Sequence, residues 1–523
     1  MKLSQAYLLA SAFVSGTAVA ENLRKNPLAR KGSSEDEMML EYGSRASLAD
    51  CLVAAVKEPG YVVLPEDPDY RDEANVHSKF WIGYPKAIAV PSDEESIGEV
   101  MACGLEYGVP IVPRCGGHGG SGNSATTGSV IVKLNLMNNV TLSDDMSTVA
   151  VGAGNTAGQA AYWLGVQSDA TRALPIGQKP SVGIAGLALG GGYGFLTRYA
   201  GLLCDRIVSL RAVLTDGEIV VATLPQTLTW YEHFEISVAG PEGLENIQKY
   251  QKLAMAIDTR TTMNLEAETA ETMKMTGTKR TYTSYVLASP NHGTHPFLPS
   301  VAGIFLGSKD EFLAALDAAD PGETLFSHSE DAWMPEEGSF IDAALALSGW
   351  NTTDPEDLLE LWLSERKYYN YKGWFTEADS YLNNTALEIL VDYLDPANGQ
   401  VWEFQAMGGG NSSFSAVGDE DTAFSHRGSY FAVNMKSTAT DRELGDERWG
   451  AMSRTMFDLS DAGFGAAAYV NHADLEIWDW KSAYYGIHTH PHDSKDFYAT
   501  IANLEDINEK YDPVNLMAGH QLF

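Results

Sequence analysis

Six glycines fall within the twelve residues from Gly183 to Gly194, in the stretch VGIAGLALGGGYGFLTRYAG that spans 182–201. Glycine weakens helices and strands by roughly 0.5–1 kcal/mol relative to alanine, so such a cluster marks backbone that must approach something closely or take a positive φ. A cofactor pyrophosphate is one such neighbour, because bare amides can close on its oxygens. A glycine-rich turn between packed helices is the other. A second cluster, Pro113-Arg114-Cys115-Gly116-Gly117-His118-Gly119-Gly120, directly follows the apolar pair Ile111-Val112. It frames one imidazole with four glycines, which suits approach to a large planar ligand and is equally open to a structural histidine. A third, Gly152-Ala153-Gly154-Asn155-Thr156-Ala157-Gly158, follows a strand and opens a helix. Its GxGxxxG spacing, with no acidic residue closing a strand about twenty residues later, departs from the nicotinamide Rossmann fingerprint.

The 523-residue length predicts about three domains, or two large ones. A hydrophobic fraction of 44% with 20% charged residues predicts a folded chain. Acidic residues outnumber basic ones 70 to 35, for a formal charge of −35. Phosphate backbones and anionic membranes are repelled by such a surface, so no nucleic-acid partner is expected. Residues 1–20 pass from Lys2 through an apolar run at 6–14 to Ala18-Val19-Ala20 before Glu21, the plan of a secretory signal cut after Ala20. That run is too short for a membrane anchor. The expectation is a secreted chain, available for N-glycosylation at Asn139, Asn351, Asn383 and Asn411. Residues 21–45 form a polar leader.

From 46 to 225, β-type runs at 61–64, 87–90, 130–136 and 148–151 alternate with helical patterns, and 206–221 reads as a hairpin turning at Asp216-Gly217. After residue 225 a second domain is expected to 455, with strands near 280–287, 301–306, 401–406 and 429–435. Ser308 to Glu311 forms a capping box, and Thr353-Asp354-Pro355 opens an amphipathic helix through Leu358, Leu361 and Trp362. Residues 456–523 end in a helix stopped by Asp512-Pro513. The fold class is α+β.

In this order, these segments resemble the FAD-linked oxidases with a PCMH-type flavin domain, specifically fungal members of the berberine bridge enzyme-like group. PRCGGHGGSGNS is similar to the R-S-G-G-H segment whose histidine carries the flavin, which places the attachment at His118. Residues 182–220 resemble the family's GGGYGxLxRxYGL…D…V…DG segment. Tyr469-Val470-Asn471, Tyr484-Tyr485-Gly486 and the run from Lys510 to Asn515 resemble its closing motifs, and DTAFSHR at 421–427 its segment before a substrate-domain strand. The resemblance implies a two-part FAD-binding domain at 46–225 and a substrate domain at 226–455, with an antiparallel sheet flanked by helices. The C-terminal segment would return to the flavin domain. Cofactor contacts are implied for Arg114, Gly116, Gly117, His118, Gly119, Gly154, Val182, Gly183, Gly186, Gly191, Gly192, Tyr193, Gly194, Asp205, Val220, Asn471 and Asn515. It also implies a Cys51–Cys103 disulfide that leaves Cys115 and Cys204 as thiols.

Two departures stand out. Lys179 occupies the place of the second flavin-linking cysteine of many relatives, so a single covalent link is expected. The N-x-D-L-F-W-A-x-R-G-G-G block that usually follows the hairpin is missing, and the chain passes from Val221 to TLPQTLTWYEHFEISV. Where relatives place a catalytic acid or tyrosine, this chain has Ala432, Asn434 and His472. His472 is the candidate base, since an imidazole suits proton abstraction near neutral pH. Tyr193, Tyr484 and Asn434 complete the catalytic candidates. The reaction implied is hydride transfer from a small organic substrate, a secondary-metabolite alcohol or amine or a sugar, to FAD, with reoxidation by dioxygen to hydrogen peroxide. Trp350, Trp374, Trp402, Trp478 and Trp480 are candidates for stacking on it. Two rival readings are a flavin-less binding protein on a decayed oxidase scaffold, and a metal-dependent hydrolase built on the alternating histidines of His488-Thr489-His490-Pro491-His492-Asp493. The expected site itself contains no metal.

Overall fold

The computed structural model describes residues 45–223, 232–237, 243–269, 285–289, 293–320, 333–336, 338–348, 352–360, 366–376, 380–394, 397–409, 411–418, 422–464, 467–486 and 494–517. The expected signal and leader, Trp350, Asn351 and the histidine run at 488–493 lie outside the described residues.

Helix α1 (Arg45–Ala55) and strand β1 (Tyr61–Val63) open the N-terminal half, followed by β2 (Ala87–Val90), α2 (Glu94–Tyr107), β3 (Ile111–Arg114) and β4 (Val130–Lys133). The four strands lie in the order β1-β2-β4-β3, with β1–β2 antiparallel and the other pairs parallel. All four residues of β2 are buried, as an inner strand covered on both faces requires. Helix α2 starts where the Asp93 carboxylate accepts the Ser96 N–H, and it stops at Gly108, whose φ of 60° suits glycine. The Cys51–Cys103 disulfide joins α1 to α2, while Cys115 and Cys204 remain thiols.

Two antiparallel pairs follow, β5 (Val140–Leu142) with β6 (Val149–Val151) and β7 (Ser209–Val213) with β8 (Ile219–Thr223). The β7–β8 turn is the Asp216-Gly217 turn, with Gly217 at φ 85°. The first hairpin strand starts at Ser209 because Cys204–Arg206 close a 3-10 turn. Between the two pairs stand α3 (Ala157–Gln167), opened by a Thr156/Gln159 capping box, and the short α4 (Ile184–Leu189).

The C-terminal half is one antiparallel sheet built from β9 (Glu232–Ser237), β10 (Thr261–Thr269), β11 (Tyr285–Ser289), β12 (Gly293–Phe305), β13 (Trp333–Glu336), β14 (Tyr368–Phe375), β15 (Gln400–Ala406), β16 (Phe431–Ala439) and β17 (Ala467–Ala468). Its order is β13-β9-β12-β10-β15-β16-β14-β17, with β11 beside β12. Period-two alternation gives the sheet two chemically different faces. Leu265, Trp374, Trp402, Phe404, Val433 and Met435 form the helix-covered face, packed with Tyr250 of α5 (Gly243–Ala256), Phe312 of α6 (Lys309–Ala319), Leu387 of α8 (Asn384–Tyr393) and Met452 of α9 (Arg442–Asp461). Helix α7 (Phe340–Leu347) packs instead with α3 in a second core. Trp374 and Trp402 meet edge to face at 5.8 Å inside the first core, so these two expected stacking residues are structural. The other face carries Tyr369, Tyr371, Gly373, Glu403, Gln405, Asn434 and Lys436.

The described part of the helix expected from Thr353 is a 3-10 turn, Pro355–Leu359, followed by an extended Glu360, while Leu361 and Trp362 lie outside the described residues. The Leu359 carbonyl accepts from Gln159 Nε2 of α3, which ties this turn to the neighbouring helix. Helix α10 (Ser494–Tyr511) ends ahead of Asp512-Pro513, and the following residues return to the first sheet, where the Ile111 N–H donates to the Leu516 carbonyl. No helix among the described residues is long and apolar enough to cross a membrane.

Candidate active site

Two of the glycine clusters meet. A Cβ on Gly116 would stand 2.4 Å from Gly183 N and Ser181 O, and one on Gly183 would stand 2.5 Å from Gly116 N. Backbone lies against backbone there, which no other residue permits. Gly117 takes a left-handed φ of 69°, and its carbonyl accepts from the His77 N–H. The loop thereby presents His118, whose Nε2 lies 2.8 Å from Ser181 Oγ. The His118 ring stacks on His77 at 4.0 Å, and His77 stacks on Tyr369 of β14 at 4.4 Å. Enclosure of the ring, then the His77 and Lys179 charges, hold His118 well below the ordinary imidazole range. It is therefore neutral at physiological pH, with a lone pair on one ring nitrogen.

Around this ring the backbone is bare. A Cβ on Gly120 or Gly186 would meet nothing within 4 Å, and one on Gly119 only Ser124 Oγ at 3.7 Å and Asn123 N at 3.9 Å. The buried Asn155 Oδ1 and Ser124 Oγ have no hydrogen-bond partner among the described residues. Buried polar atoms of this kind call for a ligand or water. Open space, bare backbone and unsatisfied polar atoms beside a neutral imidazole fit a flavin. Lys179 adds a cation on the same side, its Nζ donating to the Ser348 carbonyl at 3.1 Å.

Other residues expected at the cofactor also have partners within the protein. Gly154 and Gly194 are required by packing, since their Cβ atoms would lie 1.8 Å from the carbonyl oxygens of Leu134 and Ile176. Gly191 and Gly192 take φ of 101° and 76°, which shapes the turn after α4. The Val182 carbonyl accepts from the Ala157 N–H at the start of α3. The buried Arg114 guanidinium is spent on the carbonyls of Glu73, Ala74 and Asn75. Asp205, also expected at the cofactor, is clamped by Arg427 in a buried two-bond pair at 2.7 and 2.8 Å. Val220 lies opposite Ala212 in the hairpin, and Asn515 holds a left-handed turn at φ 51°.

The catalytic candidates divide. Tyr193 and Asn434 meet, the phenol donating to Asn434 Oδ1 at 2.9 Å. Asn471 Nδ2 donates to the Leu187 carbonyl at 3.1 Å, pinning the C-terminal segment onto the glycine-rich one. His472 lies over Gly373, where a Cβ would come within 2.5 Å of its Nδ1. Burial, then the Lys436 charge, pushes its pKa down to about 4. Tyr484 is held elsewhere, its hydroxyl accepting from the Asp474 N–H at 2.8 Å. Trp478 is 94% exposed. No group of three or more metal-ligating side chains is found among the described residues.

Sequence reasoning passed over Glu403 and Lys436, which pair within the sheet face below Tyr193. The alternation of β15 would have placed Glu403 opposite the apolar Trp402 and Phe404, a charge at an inner position.

Residues 85–223 match the family model described as an FAD binding domain. Glucooligosaccharide oxidase from Sarocladium strictum is 26% identical over 73% of this chain and 76% of its own length. Berberine bridge enzyme-like D-1 from Nicotiana tabacum is 26% identical over 75% of this chain and 72% of its own. The chain is a berberine bridge enzyme-like FAD-linked oxidoreductase. The fold of this oxidoreductase agrees with a solved structure of Physcomitrella patens BBE-like 1, at a TM-score of 0.74 and 19% identity over 91% of this chain and 98% of that one. The match to the FAD binding domain spans the half of the oxidoreductase that presents His118, and the sheet face with Tyr371, Glu403 and Asn434 belongs to the other half.

Proposed function

We propose that this oxidoreductase holds its FAD by one covalent bond to His118. It would oxidise a C–H bond bearing a hydroxyl or amine, in a sugar or a secondary-metabolite alcohol or amine, and return the electrons to dioxygen as hydrogen peroxide. The observation that carries the reading is the neutral His118 ring held on Ser181 at the mouth of a glycine-lined space. Bound flavin supplies the two-electron acceptor. The protein's own residues supply position. Gly116, Gly117 and Gly183 bring backbone amides close, His118 and Ser181 fix the ring edge, and Asn471 and Tyr193 lock the segment at 187–194 against the sheet. A substrate would lie between this segment and the polar sheet face, at a domain junction of the kind ligand sites favour. A sugar agrees with the oligosaccharide oxidase among the relatives. His472, neutral at physiological pH, lies beside that face as a hydrogen-bonding group. We infer further that the chain is exported after cleavage behind Ala20 and glycosylated. Asn139, Asn383 and Asn411 are exposed, as an acceptor must be.

Acid precipitation of purified wild type and His118→Ala tests the reading. Yellow colour is expected to stay with the wild-type pellet and to leave the variant, and gluco-oligosaccharides or aromatic alcohols are expected to yield peroxide with the wild type. A wild type that stays colourless when supplied with FAD would replace this reading with that of a binding protein.

A further inference from the structure

His118 is held from outside its own loop. The segment 76–81 grips that loop on both sides of the imidazole, where the His77 N–H donates to the Gly117 carbonyl at 3.0 Å and Trp81 Nε1 donates to the Gly120 carbonyl at 2.7 Å. Between these bonds the His77 ring lies on the His118 ring, 4.0 Å away and inclined by only 16°. Burial, then the charges of Lys179 and Arg366, push His77 down to about 3, so the two rings stack as neutral partners. The same segment is bonded to the C-terminal sheet. Ser78 Oγ donates to the Tyr369 carbonyl at 2.8 Å and accepts the Tyr369 N–H at 3.2 Å. The Lys79 N–H donates to the Lys367 carbonyl at 2.9 Å, and Arg366 Nε donates to the Val76 carbonyl at 2.6 Å. Phe80 meets Tyr368 edge to face at 5.2 Å. The Tyr369 ring of β14 stacks on His77 in turn, at 4.4 Å and 18°, which clamps His77 between a ring of the flavin half and a ring of the sheet. Ser181 fixes one edge of His118, and the stack fixes its plane.

We propose that the segment 76–81 is a positioning strap for flavin attachment: His77, clamped on Tyr369, sets the plane in which His118 bonds to the flavin, so that attachment waits for the C-terminal sheet to dock. The proposal rests on the covalent-link reading above and deepens it. In the step, a His118 ring nitrogen forms a bond to the flavin's 8α-methyl carbon. One C–H bond of that methyl group and the imidazole N–H bond break, and the two protons and two electrons released reduce the flavin ring. Dioxygen then reoxidises it and becomes hydrogen peroxide. The nitrogen lone pair lies in the plane of the imidazole, so a tilt of that plane turns it away from the carbon it must reach. His77 and Tyr369 act through His118 and are positioning residues.

The full-length chain, expressed under flavin limitation and mixed with FAD in air, tests the strap without substrate turnover. Gel filtration reads total bound flavin, and acid precipitation at intervals reads the covalent share. Tyr369→Ala is expected to bind FAD as the wild type does and to attach it roughly 10–10²-fold more slowly, whereas Tyr369→Phe, which keeps the ring, should attach it at the wild-type rate. His77→Ala should be slowed alike and His77→Phe restored. A wild-type rate in either alanine variant, or a phenylalanine variant as slow as its alanine counterpart, would overturn the proposal. Should Tyr369→Ala bind no FAD, Ser78→Ala decides: slower attachment at full FAD binding supports the strap, and an unchanged rate overturns it. A wild type that binds FAD but releases all of it in acid would instead sink the covalent-link reading itself.

Discussion

At the scale of single residues, glycines that look alike in the sequence do different work. Gly116 is pressed against backbone, with its Cβ position 2.4 Å from Gly183 N and Ser181 O, whereas Gly186 faces open space. Gly116→Ala must push two loops apart, and a loss of about 1–3 kcal/mol is expected by chemical denaturation. Gly186→Ala sits in a helical turn with room for a methyl group, so the flavin-free protein should be unchanged within about 0.5 kcal/mol. The same methyl should lower the flavin retained per chain, measured by absorbance, if that space holds the cofactor. Equal flavin content in Gly186→Ala and wild type would show that the space faces solvent. Spacing alone told the three glycine clusters apart as segments. It could not separate ligand-facing glycines from packing ones such as Gly154 and Gly194, because the residue that fills a missing Cβ comes from a distant part of the chain.

At the scale of elements, the turn after the glycine-rich segment is locked to the loop before β16 by Asp205 and Arg427, buried at 4% and 2% exposure of their side chains. Asp205 Oδ2 also accepts the Leu202 N–H, so the pair sets the turn that follows Gly201. Arg427→Met leaves a buried carboxylate without its partner, and a loss of about 3–5 kcal/mol is expected. The double variant Arg427→Met with Asp205→Asn should recover much of that loss, and thermal unfolding of the two variants side by side checks it. If the double variant is no more stable than the single one, the pair is not the source of the loss. Strand alternation was legible here. Residues 87–90 and 401–406 read as strands and lie in β2 and β15, and the strand read at 429–435 overlaps β16, which starts two residues later at Phe431. The start of the helix expected from Thr353 was not, since the described residues there form a 3-10 turn that ends at an extended Glu360.

At the scale of the whole molecule, acid sensitivity follows from where the imidazoles lie. Burial first pushes His77 down to about 3 and His472 down to about 4, and holds His118 well below the ordinary range. A folded-state pKa below the unfolded value gives stability that is present above about pH 6.5 and lost as pH falls through that window toward the folded values. The melting temperature is therefore expected to fall between about pH 6.5 and pH 4, with a shallower fall in His472→Asn. Identical slopes in wild type and variant would mean that His472 is solvated. Asp512 acts in the opposite sense. Burial raises it to about 6 although its carboxylate accepts the Leu516 and Met517 N–H groups, so its contribution is present below about pH 4 and lost as pH rises through 6. What the sequence determined by itself is local: glycine clusters that demand close backbone approach, strand alternation, helix caps, and an ordered set of motifs that identifies the flavin half. What only the tertiary structure decided is which side chains share a surface. The stacking of His118, His77 and Tyr369 and the use of Arg114 and Asp205 as structural clamps join residues tens to hundreds of positions apart. The physical reason is that a strand fixes only the face on which a side chain stands, while its chemistry is set by the register and packing of neighbours that the local sequence does not contain.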